Sequence, residues 1–296
     1  MSSVAVVAHA GKSLDGGLPQ LRETLEANGI SNARWYEVPK SRLAPSQLVR
    51  ALRKRAELIF VWGGDGMVQR CMDVAAGSEA RIAIVPAGTA NLFASNLGIP
   101  KSIDGAVQVG LGGSTRKLDV GSVNGEKFAV MAGVGFDALV IRDADRELKR
   151  KLGRAAYVLA AARNLRVKPF EARIDVDGKR WFRGPASLVL FGNVGEAFAG
   201  IKAFDDARPD DGLLEVGVGS ADGIMDWSRT FVRSAVGKVS DSPFVSVTRG
   251  RSIEVRLDRK VLYELDGGTR SKTRKFRVDV VPSAVNVCVP GGSSHV

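Results

Sequence analysis

The sequence predicts an α/β protein: an N-terminal, doubly wound parallel-sheet domain followed by a larger, antiparallel β-rich second domain. Three observations support this prediction. Up to residue 100, short apolar β-branched runs alternate with helical stretches. Beyond residue 113, apolar runs are closely spaced and separated by the hairpin signals Asn124-Gly125 and Asp177-Gly178. The length of 296 residues and the hydrophobic content of 45% suit a globular chain of about two domains.

The first domain, residues 1–113, is predicted to alternate strands and helices. The run from Leu58 to Trp62 is uniformly apolar, which is typical of a parallel strand covered on both faces. Gly29 is expected to end the first helix, because glycine readily adopts the left-handed conformation of a helix C-terminus. The predicted strands are 4–8, 33–38, 58–62 and 81–85, and the predicted helices are 18–28, 45–55, 67–76 and 91–97.

The second domain, residues 114–282, is predicted to consist mainly of turn-linked strands. One helical insertion at 144–164 interrupts it, and the C-terminal segment 283–296 carries a last strand at 284–290 that is expected to return to the first domain. The predicted strands are 116–123, 126–133, 172–176, 180–182, 186–193, 213–218, 244–249 and 252–257.

Composition narrows the function classes. With 43 basic and 32 acidic residues the net charge is +11, which favours polyanions, anionic membrane surfaces or phosphorylated ligands. Two cysteines and two histidines are too few for a structural zinc site, and a reducing cytoplasm is the expected setting. Neither a signal peptide nor the run of roughly 20 apolar residues needed to span a membrane is recognisable. Any membrane contact is therefore expected to be peripheral.

The most informative motif is the Gly-Gly-Asp-Gly stretch of Gly63, Gly64, Asp65 and Gly66. It follows a buried strand and opens a helix, so its main-chain N–H groups are free to bind phosphate oxygens at a helix N-terminus. A carboxylate beside phosphates is costly unless a cation accompanies it, and Mg²⁺ is the expected cation. The alternative is a tight turn without a ligand.

A second glycine loop follows the fourth strand and carries Gly88, Thr89 and Asn91. Loops after neighbouring parallel strands frame one crevice, where open α/β sheets bind ligands, so these residues are nucleotide-binding candidates. Helix capping is the alternative for Thr89 and Asn91. Lys12, in the first strand-to-helix loop, lies on the same edge and could contact a phosphate, although a solvated surface lysine is the commoner outcome.

With these motifs the chain resembles the catalytic domain of diacylglycerol kinases, in particular the bacterial lipid kinases, with sphingosine kinases as relatives. NAD kinases share the Gly-Gly-Asp-Gly loop, but the Asn-Glu pair that follows it there is not found here. The similar segments run nearly end to end in the family's order: 63–66, 85–100, 117–138, 209–216 and 265–290.

The resemblance implies Mg²⁺-dependent transfer of the γ-phosphoryl group of ATP to a lipid hydroxyl such as that of diacylglycerol, in phospholipid metabolism. Residues 63–66 and Thr89 would surround the triphosphate, in a crevice between the two domains. Asp119 would join Asp65 in a Mg²⁺ network, although a strand-end carboxylate bonded to backbone amides is the alternative. The resemblance also implies a second, regulatory metal site. Its remaining ligands here would be Asp211 and the carbonyl of Leu213, because Arg208 stands where the family has a third ligand.

Several positions depart from the family pattern, most seriously Gly268. The family has there the glutamate presumed to take the proton of the acceptor hydroxyl, and general-base catalysis is typically worth about 10²–10⁴-fold. Two hypotheses therefore stand: a lipid kinase that uses another carboxylate such as Asp266, or a nucleotide- or lipid-binding protein with little or no turnover. The other departures are Met67, Arg70, Leu92 and Val130.

Basic residues cluster around 146–168 and again at 272–277. A basic amphipathic helix suits an anionic membrane surface, with a solvated helix face as the alternative. Nucleic acid is not an expected partner, because aromatic residues make up only 6% and no recognised module is present. The expected location is cytoplasmic with peripheral membrane association; a homodimer is an open alternative.

Overall fold

The structure is a computed structural model that describes residues 3–135, 169–198, 201–220 and 245–291. The chain divides into two compact units, one of Met1–Asp119 with Ser283–Val296 and one of Val120–Pro282. The first unit is built on a parallel sheet flanked by helices, and the second on antiparallel strands. The predicted fold class is confirmed.

In the first unit the strands lie in the order β2-β1-β3-β4, all parallel, and each registers directly with its neighbour. Strands β1 and β3 are almost wholly buried, as expected of strands covered on both faces. The elements are β1 (Val4–His9), α1 (Gly17–Ala27), β2 (Arg34–Val38), α2 (Ala44–Arg53), β3 (Leu58–Gly63), α3 (Asp65–Ala75), β4 (Arg81–Pro86), α4 (Leu92–Asn96) and α5 (Ile103–Gly112).

Helix α5 is not predicted from the sequence, because its glycines lower its helix propensity. Packing explains one of them, Gly110. A Cβ on Gly110 would lie 2.5 Å from the ring of Phe60 and 2.9 Å from the Cβ of Ala83, so glycine lets α5 approach the sheet closely. The hydroxyl of Ser102 accepts a hydrogen bond from the N–H of Gly105 and caps the helix.

The second unit contains antiparallel strands around one apolar core, which includes Phe128, Phe170, Phe191 and Phe276. The predicted insertion at 144–164 lies outside the described residues. The strands are β5 (Ser114–Val123), which crosses from the first unit, β6 (Glu126–Phe128), β7 (Met131–Gly135), β8 (Phe170–Val176), β9 (Lys179–Ala186), β10 (Leu188–Gly192), β11 (Glu196–Phe198), β12 (Ile201–Lys202), β13 (Leu214–Gly219), β14 (Val245–Gly250), β15 (Ser252–Leu265) and β16 (Gly268–Val289).

Strand β16 is longer than predicted and serves both units. Its first part pairs with β15 in the second unit. Its last part lies in the first unit, where Asn286 and Val287 pair in parallel with Arg81 and Ile82 of β4. The N–H of Gly77 also donates to the carbonyl of Ala284 at 2.8 Å.

The hairpin signals form as the sequence indicates. Asn124, Asp177 and Asp266 all have positive φ, of 51°, 48° and 45°, and each is followed by a glycine with positive φ. Two consecutive residues with positive φ are the requirement of a type I′ hairpin turn. Among the described helices, none is long and apolar enough to cross a membrane.

Candidate functional site

The two glycine loops of the first unit start side by side at the carboxyl edge of the sheet. Trp62 and Gly63 at the end of β3 pair with Val85 and Pro86 at the end of β4. The N–H of Ala87 donates to the carbonyl of Gly63 at 3.0 Å and joins the loops directly. The structure therefore brings the two motifs together at the edge where open α/β sheets bind ligands.

Gly64 and Gly88 form the closest approach between these loops. A Cβ on Gly64 would lie 3.0 Å from the Cα of Gly88, and a Cβ on Gly88 would collide with Gly64 and lie 2.5 Å from Oδ1 of Asn91. Neither position has room for a side chain. Close backbone approach, rather than unusual φ, is what requires glycine here.

Asn91 fixes the shape of the second loop. Its Oδ1 accepts from the N–H of Gly88 at 2.8 Å, and its Nδ2 donates to the carbonyls of Pro86 at 2.9 Å and Gly88 at 3.0 Å. The residue is buried, with a left-handed backbone at φ 52°. The amide thus contacts its own loop, and the predicted bond from Asn91 to a nucleotide stays a prediction. The sequence signal was available, because asparagine is enriched in this conformation.

Asp65 connects the start of α3 with the start of α4. Its Oδ1 accepts from the N–H of Phe93 at 3.3 Å, inside the first turn of α4. Burial raises the pKa of this carboxyl, and the backbone N–H groups of Phe93 and Leu92 partly oppose that rise. The carboxylate is held at a desolvated position, where a nearby cation would favour the ionised form.

The remaining candidates of the first unit surround the glycine loops. The backbone carbonyl of Lys12 accepts from the indole N–H of Trp62 at 3.3 Å, which ties the first loop to the end of β3. Gly66 is exposed, and a Cβ there would have no atom within 4 Å. Thr89 is also exposed, between Gly88 and Asn91. Space beside backbone N–H groups is what a phosphate needs.

Asp119 is 2% exposed at the end of the first unit's share of β5. Its Oδ1 accepts from the N–H of Ser283 at 2.7 Å, where the chain enters its last segment with φ 49°. This geometry agrees with the alternative given above for Asp119, a strand-end carboxylate bonded to backbone amides. A function of Asp119 in a Mg²⁺ network stays a prediction.

In the second unit, the carboxylate of Asp266 accepts the hydrogen bonds of the segment that separates two strands. Its Oδ2 accepts from the N–H of Ala129 at 2.7 Å, and its Oδ1 accepts from those of Val130 at 2.9 Å and Met131 at 2.8 Å. The sequence predicts one strand over 126–133, but these three N–H groups turn to the carboxylate and separate β6 from β7. Three backbone N–H groups thus bond to a carboxylate that has about four acceptor sites, and these bonds favour its ionised form over the protonated one.

An ion pair lies beside Gly268. The Nε of Arg270 is 2.9 Å from both carboxylate oxygens of Glu126, and its Nη1 donates to the carbonyl of Gly268 at 2.7 Å. A Cβ on Gly268 would lie 2.7 Å from that Nη1. A guanidinium therefore occupies the space beside the position where the resemblance places a glutamate.

The predicted regulatory metal residues lie in a turn of the second unit. The carboxylate of Asp211 accepts from the N–H of Leu213 at 3.0 Å. Nearby, burial raises the pKa of Glu215; Arg249 opposes that rise, while Asp206 and Asp211 add to it. Within the described ranges, no group of three or more His, Cys, Asp or Glu side chains is arranged to hold a metal ion. Metal binding at Asp211 and Leu213 stays a prediction.

Two family models match the chain in succession. The diacylglycerol kinase catalytic domain matches residues 6–123, and the YegS C-terminal NAD kinase beta sandwich-like domain matches residues 130–289. Together they cover both structural units.

Relatives and solved structures agree with these matches. A diacylglycerol kinase of Mycobacterium tuberculosis is 29% identical over 82% of this chain and 80% of its own. A probable lipid kinase YegS-like protein of Pseudomonas aeruginosa is 32% identical over 78% and 76%. A diacylglycerol kinase crystal structure from Bacillus anthracis has a TM-score of 0.78 at 23% identity and covers 100% and 99%. An ATP complex of an Archaeoglobus fulgidus NAD kinase has a TM-score of 0.55 at 12% identity, over 96% and 93%. At these identities both solved structures show a likeness of fold alone.

Proposed function

Because the chain belongs to the diacylglycerol kinase family with a YegS-type C-terminal domain, we propose that it transfers the γ-phosphoryl group of ATP to a lipid hydroxyl. Diacylglycerol is the acceptor that we propose first, since it is the substrate in the names of several relatives. We further propose that the reaction depends on Mg²⁺ and takes place in the cytoplasm at a membrane surface.

The junction of the two glycine loops carries the proposal. Gly64 and Gly88 exclude side chains from it, and Asn91 holds the second loop in shape. Beside it, Gly66 leaves room at the N-terminus of α3, where the helix dipole favours an anion. A rigid backbone cradle at a helix N-terminus supports triphosphate binding by Gly63, Gly64, Gly66, Gly88 and Thr89.

Asp65 fits a magnesium site. Its carboxyl is desolvated, and a desolvated carboxylate next to phosphates is favourable only with a compensating cation. When bound, Mg²⁺ would neutralise negative charge on the transferring phosphoryl group. Asp65 would hold the ion, and we propose Asp119 as the second carboxylate of the network.

The chain's own contribution to such a reaction is positioning. Phosphoryl transfer needs in-line alignment and charge neutralisation more than covalent help. The loop junction would fix the phosphates. The backbone carbonyl of Lys12 accepts from Trp62 at the same sheet edge, and its side chain would supply a cation for a phosphate oxygen. Proton acceptance from the lipid hydroxyl would need a group other than residue 268, because that residue is glycine.

Two observations favour a second candidate function, a nucleotide- or lipid-binding protein with little turnover. Arg270 places a guanidinium beside Gly268, and Asp266, the alternative carboxylate, already accepts three backbone hydrogen bonds. Under this candidate the glycine loops still bind Mg-ATP.

Two measurements on one preparation separate the candidates. The affinity for Mg-ATP is measured by calorimetry, and transfer from labelled ATP is measured in mixed micelles with diacylglycerol, sphingosine and other lipid alcohols. Transfer above that of Asp65→Ala supports the kinase. ATP binding with equal, background-level transfer from both proteins across the panel would support the binding protein instead.

A further inference from the structure

Four neighbouring strands of the second unit carry a row of like charges on one face. Directly paired residues of adjacent strands share a face of the sheet. Arg183 of β9 pairs with Arg173 of β8, Arg173 pairs with Arg256 of β15, and Arg256 pairs with Lys275 of β16. All four side chains are exposed. At about 4.8 Å between strands, the row is about 14 Å long.

The other face of these strands belongs to the core. Ile174, Val255 and Phe276, each adjacent in sequence to a member of the row, are buried in the second unit's core. The basic row is therefore the solvent side of a sheet whose opposite side is packed.

Two rows flank the basic row on the same face, and both offset part of its charge. One contains two cations at its ends and two carboxylates between them: Arg180, Asp175, Glu254 and Arg277. The other contains the exposed carboxylates of Glu171 and Asp258, two residues along their strands from Arg173 and Arg256. The carboxylates approach only the middle of the basic row, with Arg173 3.7 Å from Asp175 and Arg256 3.5 Å from Glu254. Across the residues that the structure describes, neither Arg183 nor Lys275 forms an ion pair.

Like charges directly opposite each other on neighbouring strands destabilise a sheet. Four in succession are a cost to folding that an external anion would relieve. We propose that this row, formed by Arg183, Arg173, Arg256 and Lys275, is a docking surface for the anionic headgroups of a lipid bilayer.

The choice of a bilayer over a nucleic acid rests on the form of the surface and, in part, on the proposed function, since a lipid kinase must reach a lipid. The charges are spread across a sheet face, which suits a planar array of headgroups. Trp181 and Phe182 of β9, the aromatic residues nearest Arg183, pack against the core and offer bases no stacking platform.

The test uses the full chain with sucrose-loaded vesicles of phosphatidylcholine, alone or mixed in equal parts with phosphatidylglycerol, without nucleotide. The row variant is Arg183→Gln with Lys275→Gln. The control variant, Arg42→Gln with Lys101→Gln, removes the same charge from exposed positions of the first unit. Urea unfolding of each variant accompanies the sedimentation, and labelled single-stranded RNA is titrated in parallel.

Each cation near an anionic surface contributes about 1 kcal/mol, or about fivefold in affinity, so the row variant should bind the anionic vesicles about 25-fold more weakly. Its urea midpoint should equal or exceed that of the wild type, because like-charge repulsion is relieved. The control should bind like the wild type.

Equal losses of vesicle affinity in both variants would show that only the overall charge matters. Unchanged vesicle affinity of the row variant would exclude this face as the docking surface. Either result overturns the proposal. Loss of RNA binding with vesicle binding retained would overturn it in favour of nucleic acid. The vesicle assay contains no nucleotide, so it is independent of catalysis. Failure of vesicle binding with kinase activity retained in micelles would overturn this proposal alone, and loss of kinase activity with vesicle binding retained would overturn the proposed function alone.

Discussion

The Cα atom of Gly88 lies only 3.0 Å from the point where a Cβ on Gly64 would stand. This approach packs together two loops that are more than twenty residues apart in sequence. Gly66, next to it, is different, because a Cβ there meets no atom within 4 Å. Glycine at 64 and 88 is required by packing, whereas glycine at 66 is not.

This difference predicts opposite outcomes for two alanine substitutions. Gly88→Ala should lower the free energy of unfolding by about 1–3 kcal/mol, the usual cost of overpacking, and weaken ATP binding through the distorted junction. Gly66→Ala should leave the free energy of unfolding unchanged or slightly higher, and still weaken ATP binding because its methyl group enters the phosphate space. Urea unfolding and calorimetry measure both. Full ATP affinity in Gly66→Ala would contradict the proposed cradle.

Much of the first unit was predictable because apolar runs and glycine punctuation specify βα units locally. Helix α5 was not, since its Gly110 allows a close approach to Phe60, a long-range requirement that helix propensity does not include. The two glycine loops were found from their residue types. The bonds of Asn91 within its own loop were not predictable, because an asparagine at that position suits helix capping and ligand binding equally well.

Asp65 is predicted to reduce stability at neutral pH. Because burial raises the pKa of its carboxyl, the folded state binds this proton more tightly than the unfolded state. The contribution of this group to stability is therefore greatest below the unfolded pKa and decreases as pH rises through the folded pKa. Asp65→Asn, which does not titrate, should be more stable than the wild type at neutral pH, and its advantage should shrink as pH is lowered through the acid range.

The same variant should lose function. Asp65→Asn should lower phosphoryl transfer by about a hundredfold or more, because a preorganised charge at the phosphates is removed. Mg-ATP should raise the melting temperature of the wild type more than that of the variant. The prediction is contradicted if Asp65→Asn is as stable as the wild type at every pH and Mg-ATP raises both melting temperatures equally. That result would show that Asp65 is neither desolvated nor a magnesium ligand.

Asp266 is predicted to stabilise the fold more than it serves chemistry. Asp266→Ala leaves the N–H groups of Ala129, Val130 and Met131 without their acceptor, at a cost of about 3 kcal/mol or more. The chain offers a matched control in Asp177, which starts another Asp-Gly turn and accepts from the N–H groups of Arg251 and Ser252, both at 2.9 Å. Asp177→Ala should also lower stability, measured by urea unfolding.

Activity separates the two positions. If Asp266 is structural, the activity of each alanine variant, corrected for its folded fraction, should fall little. Asp266→Asn that folds normally but has lost transfer by two orders of magnitude or more would instead identify Asp266 as the base, within the usual range for base catalysis of about 10²–10⁴.

The break at Ala129 and Val130 shows why this turn was hard to interpret from sequence. The pattern over 126–133 is that of a continuous strand, and the carboxylate that interrupts it is more than 130 residues away. Local sequence signals report neighbours along the chain, so the Asn-Gly and Asp-Gly pairs predicted the hairpins at Asn124 and Asp177, whereas nothing local predicts this long-range contact.

Gly268 offers the sharpest test of the proposed reaction. Its φ is not in the left-handed region, and the nearest obstacle to a Cβ is Nη1 of Arg270, the far end of a flexible side chain. Gly268→Glu should therefore fold, with the Arg270 guanidinium moving aside and remaining available to the new carboxylate as a counter-charge. If a missing base limits transfer, this variant should increase it by about tenfold or more.

Gly268→Gln is the matched control, because it has the same shape and cannot accept a proton at neutral pH. Both variants are compared with the wild type for Mg-ATP affinity and for transfer to diacylglycerol in micelles. An increase in the glutamate variant alone would identify the base as the limiting group and support the kinase. Equal rates in all three proteins with ATP binding intact would show that another step limits transfer, and would remove the mechanistic meaning from aligning Gly268 with the family's glutamate.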